Sequence, residues 1–286
     1  MSHGVVVGID GSEQSAAAAA WAAGEADRRG LGLHIVHVAG TEFNALERDL
    51  GGDTVVPEPI AEIRDRVAAA LPWLEVSFEI WPGHPAETLT GVGGRAELLV
   101  LGSRGLGGFT GLLVGSVGLR TAARATCPVV LVRAGEDGPG GPSADVVVGV
   151  EGDRPCDAVL DFAFRHAAET GSALRVVESR ATSYGPYTTE APVDQRQIRE
   201  SLAAAEELRL RDALSRWREK YPDVRAAAEV CAWSPARALV EASRSASLVV
   251  LGRRTPKHQV AAPRLGSVTQ SVLHHAHSPV AVVPHD

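Results

Sequence analysis

Cysteine is scarce in this chain: Cys127, Cys156 and Cys231 are the only three among 286 residues. They lie far apart, and no pair has C-x-x-C spacing. An odd, scattered set builds neither a disulfide framework nor a zinc or redox motif, so all three read as reduced core thiols. A basic surplus is missing too. Lys and Arg number 28 against 35 Asp and Glu, for a formal net charge of −7, which argues against a general nucleic-acid or anionic-membrane binder. No apolar run reaches the roughly 18 to 20 residues that cross a bilayer. The opening "MSHGVVVGID" has neither the charged start nor the cleavage site of a signal peptide. The expectation is a cytosolic, cytoplasmic protein with no nucleic acid and no membrane among its partners.

Several chemical signatures are absent as well. There is no G-x-x-x-x-G-K-[ST], so a Walker-type NTPase lacks its lysine, and no G-x-S-x-G esterase elbow. "GVGGRA" (91–96) spells G-x-G-x-x-A but follows a helical stretch and precedes an aliphatic run, the reverse of a dinucleotide fingerprint; it reads as a helix stop. "HHAH" (274–277) puts His274 and His277 at i, i+3 with no carboxylate or cysteine nearby, and histidines closing a helix are the better account. His34 and His37 point to opposite faces of a strand. The tryptophans at 21, 73, 81, 217 and 233 show no stacking pattern with basic residues, and packing accounts for them better.

What is present is ordinary globular usage, 45% hydrophobic and 22% charged, over a length that suggests two domains, each large enough for its own core. The chain is one unit written twice. "ELLVLGSR" (97–104) returns as "SLVVLGRR" (247–254), "HPAETL" (84–89) as "SPARAL" (234–239), and "VVVGIDGS" is echoed by "VVVGVEGD". The second unit is longer by a loop around "ESRATSYGPYTTEAPVDQ". The Gly- and Pro-rich "AGEDGPGGPSAD" marks a boundary, giving domains over 1–134 and 144–286.

Each unit alternates short aliphatic runs with helical spacing. "GVVVGI", "LHIVHV", "LEVSFEI", "ELLVL" and "PVVLV" in unit one match "DVVVGV", "ALRVV", "VRAAAEV", "SLVVL" and "PVAVV" in unit two, which also carries an amphipathic helix over about 194–220. Runs apolar on both faces are strands of a parallel sheet covered by helices. The fold class is therefore α/β: two tandem doubly wound parallel five-stranded sheets, with a flavodoxin-like strand order leading. The last strand of each unit is an uncharged sheet edge that needs covering. The two units pair with each other or across a homodimer, and a homodimer is the expectation.

In such a sheet, ligands bind outside the carboxyl ends of the strands where the strand order reverses. "VLGSRGLGGFTGLLVGSVGLR" (100–120) stands there, with seven glycines and the spacing G-x-x-G, nine residues, G-S: Gly102, Gly105, Gly115 and Ser116. Amides freed from side-chain crowding form an anion-binding nest, and Ser116, read as the N-cap of the next helix, favours phosphate. Glycines also serve plain turns, so the spacing alone leaves both readings open. Gly8, Asp10 and Val38 end the neighbouring strands. Asp10 suits ribose hydroxyls or a magnesium ion, and equally an Asx turn. Arg104 either reaches phosphates or meets only water.

On "VVVGIDGS", "VLGSRGLGGFTGLLVGSV" and "CPVVLVR" the chain resembles the tandem universal stress proteins over essentially its whole length. The resemblance implies ATP as ligand, with Gly8, Asp10 and Val38 bordering the adenosine. Gly102, Ser103, Arg104, Gly105, Gly115, Ser116 and Val117 then hold the ribose and phosphates. It implies a regulatory stress role and, at most, slow ATP hydrolysis. Unit two departs from the pattern: Gly149, Gly252, Gly266, Ser267 and Val268 are kept, but Asp10 becomes Glu151, Gly105 becomes Thr255, and the loop is one residue longer with two prolines. A weakened or empty second site is expected. Two rival readings stay open. A nucleotide hydrolase or transferase would need a histidine motif after the first strand, and "GIDGSEQS" has none. A nucleotide-free interaction module would use the glycine segment as a turn.

Overall fold

The computed structural model describes residues 4–40, 56–105, 114–134, 144–151, 156–179, 204–255 and 264–286. Unit one runs β1 (Val5–Ile9), α1 (Glu13–Arg29), β2 (Leu33–Ala39), α2 (Glu58–Ala70), β3 (Val76–Pro82), α3 (Pro85–Gly93), β4 (Leu98–Gly102), α4 (Ser116–Arg124) and β5 (Val129–Val132). Unit two runs β6 (Asp145–Val150), α5 (Asp157–Thr170), β7 (Leu174–Ser179), α6 (Ser215–Lys220), β8 (Ala226–Cys231), α7 (Pro235–Ala242), β9 (Ala246–Arg254), α8 (Ser267–His275) and β10 (Val280–His285). The helix expected over 194–220 is seen from 204 and is interrupted at Leu214, with α6 as its last turns; 194–203 lie outside the described residues. Among the described residues no helix is long and apolar enough to cross a membrane.

The ten strands form one sheet, ordered β3-β2-β1-β4-β5-β10-β9-β6-β7-β8. Each unit contributes five parallel strands, doubly wound as expected. The third strand of each unit lies outside the second rather than beside the first, so the order is 3-2-1-4-5 and not the 2-1-3-4-5 of flavodoxin. The reversal falls between β1 and β4 in unit one and between β6 and β9 in unit two. Between the units the seam is antiparallel, with Val280 opposite Leu131, Ala281 opposite Val130 and Val282 opposite Val129. Of the two partners expected for the last strands, the structure uses the other unit of the same chain. β3 and β8 are left at the sheet edges.

Alternation explains why the strands look apolar throughout. Val5, Val7, Ile9, Leu98 and Val100 face one layer with α1, α2 and α5, while Val6, Leu99 and Leu101 face the other with α3, α4, α7 and α8. Both layers continue across the seam, so the two units share two cores instead of owning one each. Helix α1 lies close to the sheet because its buried face is mostly alanine, Ala18, Ala19, Ala22, Ala23 and Ala26. It starts at Ser12, whose side chain accepts from Ser15 N, and stops at Gly30 in the left-handed region with φ 63°. Gly171 closes α5 the same way with φ 67°.

That alanine face carries one charge. Glu25 is fully buried and accepts from Arg28 Nη2 at 2.7 Å, Arg29 Nε at 2.8 Å and His166 Nδ1 of unit two at 3.1 Å. Arg29 also pairs with Glu169 of α5 at 3.3 Å and lies over the Phe162 ring. The units are therefore joined by a buried ionic cluster on one face as well as by the seam.

Candidate functional site

The reversal between β1 and β4 opens a cavity of about 350 Å³. Of the ten positions expected in unit one, nine line it: Gly8, Asp10, Val38, Gly102, Arg104, Gly105, Gly115, Ser116 and Val117. The tenth, Ser103, is buried and absent from the lining. Its backbone works instead as a clasp. Ser103 N donates to Val132 O at 2.7 Å, and Ser103 O accepts from Gly115 N at 2.7 Å, so one residue fixes both ends of the glycine segment. Residues 106–113 of that segment lie outside the described residues.

The helix start differs from expectation by one residue. Gly115 is the N-cap of α4, with φ −76° and ψ 156°, and Ser116 is the first helical residue with no side-chain cap. The glycine frees the position from any hydroxyl that would compete for the first-turn N–H groups, so these stay available to an acceptor outside the helix.

Close approach explains two of the glycines. A Cβ on Gly102 would lie 2.8 Å from the carbonyl carbon of Gln14, so the end of β4 and the first turn of α1 cross here with no room for a side chain. A Cβ on Gly105 would overlap Oδ2 of Asp10. The other carboxylate oxygen, Oδ1, accepts from Ser12 N at 3.1 Å and Ser12 Oγ at 2.6 Å, an Asx-type turn leading into α1. Both uses of Asp10 are thus compatible: one oxygen supports the turn, and the other borders the glycine segment.

Sequence reasoning missed the apolar part of the wall, Ile9, Val36, Pro85, Leu89, Leu101 and Val114, along with Ser15 and Gly118. A signal was available for Pro85 and Leu89, which belong to the repeated "HPAETL". Among the lining residues Asp10 is the one acid and Arg104 the one base. Beside them Arg133, directly after β5, is held below its ordinary pKa by burial and then by Arg104.

In unit two the kept glycine Gly149 has the surroundings of Gly8, packing on Leu239 and Leu251 where Gly8 packs on Leu89 and Leu101. The strand after it behaves differently. The β9–β10 ladder continues through Gly252 opposite Val283, Arg253 opposite Pro284 and Arg254 opposite His285, and Thr255 N donates to His285 O at 2.6 Å. In unit one the ladder ends at Gly102 opposite Val132. A Cβ on Gly252 would meet the His285 ring at 2.7 Å, whereas Gly266 has open space around it and Ser267 and Val268 begin α8. Residues 256–263 lie outside the described residues.

The remaining candidates resolve plainly. His274 lies in the last turn of α8 and offers its carbonyl to Arg133, while His277 N donates to Ser243 Oγ, so the two serve separate backbone contacts. His34 bonds Ser77 Oγ at 2.8 Å and His37 the carbonyl of Ile9 at 2.9 Å. All three cysteines are free thiols, Cys127 buried and the other two half-buried. Two tryptophans do have basic neighbours: Arg237 lies 4.6 Å over Trp233, and Arg216 and Lys220 lie over Trp217. Trp217 belongs to α6 and Trp233 lies between β8 and α7, and the two rings do not form one stacked basic–aromatic array. Among the described residues one group, Glu25, His166 and Glu169, has metal-ligand spacing, and the Arg29 guanidinium already supplies its positive charge.

The pattern of the universal stress protein family matches residues 1–133 and again 144–284. The chain is 33% identical to the universal stress protein Rv2005c of Mycobacterium tuberculosis, over 98% of this chain and 96% of that protein. It is 31% identical to Rv2623 of the same organism, with the same coverage. A universal stress protein of Archaeoglobus fulgidus shares the fold with a TM-score of 0.61, 17% identity and full coverage of both chains. Two matches that divide the sequence where its own repeat does, and relatives of full length, lead to one conclusion: the chain belongs to the universal stress protein family.

Proposed function

We propose that unit one binds ATP and that the protein acts as a nucleotide-dependent regulator rather than as a fast catalyst. The observation that carries this reading is the convergence of β1, β4 and the start of α4 on one cavity whose size falls in the usual range for small ligands. Its parts suit a nucleotide. Val36, Val38, Pro85 and Leu89 offer apolar walls for a base, and Asp10 offers a carboxylate to ribose hydroxyls. Gly105, Gly115, Ser116 and Arg104 offer N–H groups and a cation to phosphates. A magnesium ion accompanying the nucleotide would be held by Asp10 and would neutralise phosphate charge. Fast phosphoryl transfer needs a positioned base and a stronger cationic clamp than one arginine.

Unit two is read as lacking a working site. Glu151 and Thr255 replace the Asp10–Gly105 contact as a pair, and the extended ladder with His285 occupies the place where unit one turns. A homodimer is not part of this reading, because the strands that would build it already pair within the chain.

Equilibrium dialysis of the full chain against ATP and magnesium tests the proposal. A single nucleotide per chain is expected, and Gly105→Thr, which copies unit two, should lose it. If the unaltered chain retains no ATP, the interaction-module reading takes its place.

A further inference from the structure

The two copies of the strand-four motif differ sharply in chemistry at one position: Ser103 of unit one is Arg253 in unit two. In unit one this residue clasps the glycine segment through its backbone. In unit two the longer ladder carries Arg253 to the seam, and its side chain crosses into unit one, where Nη2 donates to the carbonyl of Ala125. Ala125 is the C-cap of α4. Arg253 is 5% exposed, so its guanidinium is a buried cation, and the acceptor it meets is the negative end of a helix dipole. It also lies near Cys127, whose thiol burial pushes up to about 11.

The opposite end of the same helix, Gly115 and Ser116, faces the cavity. The nine residues of α4 span roughly 13 Å at 1.5 Å per residue. A cation at the C-terminus satisfies carbonyls that have no partner within the helix and offsets the negative pole. The positive pole is then left acting on whatever lies at the start. The contact is reciprocated: Arg133 of unit one donates to the carbonyls of Leu273 and His274 at 2.8 and 2.7 Å, in the last turn of α8.

We infer that Arg253 is a positioning residue supplied in trans by unit two: it pins and charge-balances the far end of α4, so that the affinity of the unit-one cavity for a phosphate-bearing ligand depends on unit two. This rests on the ATP reading above. The arginine works through the helix and touches no ligand itself. On this view the second copy of the glycine loop has exchanged ligand contact for support of the first copy.

The test uses the full chain unaltered and as R253Q, R253K and V176A. Val176 lies in the core layer on the sheet face opposite α4, so V176A serves as a destabilised control. ATP affinity is read by titration calorimetry, and backbone protection over residues 114–126 by hydrogen exchange. R253Q is expected to weaken ATP binding roughly five- to tenfold and to speed exchange over 114–126. R253K, which keeps the charge, should recover most of the affinity, and V176A should leave it unchanged. Wild-type affinity in R253Q, or an equal loss in V176A, would overturn the inference. If the unaltered chain binds no ATP, the functional reading falls, and the contact is judged by exchange alone: faster exchange over 114–126 in R253Q than in V176A supports it, and equal exchange refutes it.

Discussion

Glu25 is the residue least expected from its surroundings: a carboxylate on an alanine face, with no exposed surface. Burial pushes its pKa up, but the hydrogen bond and charge of His166, the charge of Arg29 and the hydrogen bond of Arg28 together outweigh burial and hold it at about 2, against an ordinary 4.5. The sign follows. A lowered carboxylate pKa stabilises the fold above the unfolded value and loses that contribution as pH falls from about 4.5 toward 2. The full contribution is about 3 kcal/mol at neutral pH. Glu25→Gln leaves Arg29 short of its partner in a dry site and should cost roughly 3 to 5 kcal/mol at pH 7. Urea midpoints at pH 7 and pH 3 check this. The gap between the two proteins should narrow at pH 3, and an equal gap at both would contradict it. Nothing in the sequence marked this residue, since a lone glutamate in a helix normally faces water and its partner His166 stands in the other unit.

The eight inner strands were legible because parallel strands buried on both faces leave a largely aliphatic run; the edge strands β3 and β8 lack that double burial and their runs carry charges, yet each run in the sequence became a strand. That Gly102, Gly105 and Gly115 share a cavity with Gly8, Asp10 and Val38 was legible from spacing together with the topological rule. Three features were not. The N-cap fell on Gly115 because a Gly-Ser pair offers two adjacent candidates and the hydroxyl preference pointed to the second. The apolar wall of the cavity comes from residues that read as ordinary core. The extra pairs of the β9–β10 ladder arise in runs that look the same as those of unit one. Gly102, where β4 crosses α1, and Gly115, at the start of α4, make contrasting predictions. Gly102→Ala would press a methyl into the main chain of Gln14 and should destabilise by about 2 kcal/mol. At Gly115 the nearest atom to an added Cβ is 3.6 Å away, so Gly115→Ala should cost less than about 1 kcal/mol. Thermal denaturation of both variants checks the contrast, and equal losses would refute the crossing as its cause.

Two domains with separate cores were expected; the structure shows both apolar layers running across the seam of the ten-stranded sheet, with a buried ionic cluster on one face and a pair of exchanged arginines on the other. Units bound this way should unfold together. Differential scanning calorimetry is expected to give a single transition whose calorimetric and van't Hoff enthalpies agree. Two resolved transitions would show that the units hold their structure independently.

The antiparallel seam relates the halves by an approximate twofold axis, as an isologous dimer would. Two identical subunits meeting in that manner must repeat every substitution, so neither could sacrifice its own pocket to help its neighbour. A duplication held in one polypeptide escapes that constraint. Position 103 is serine where position 253 is arginine, and on the reading proposed above that broken equivalence lets one half specialise in holding a ligand and the other in steadying it.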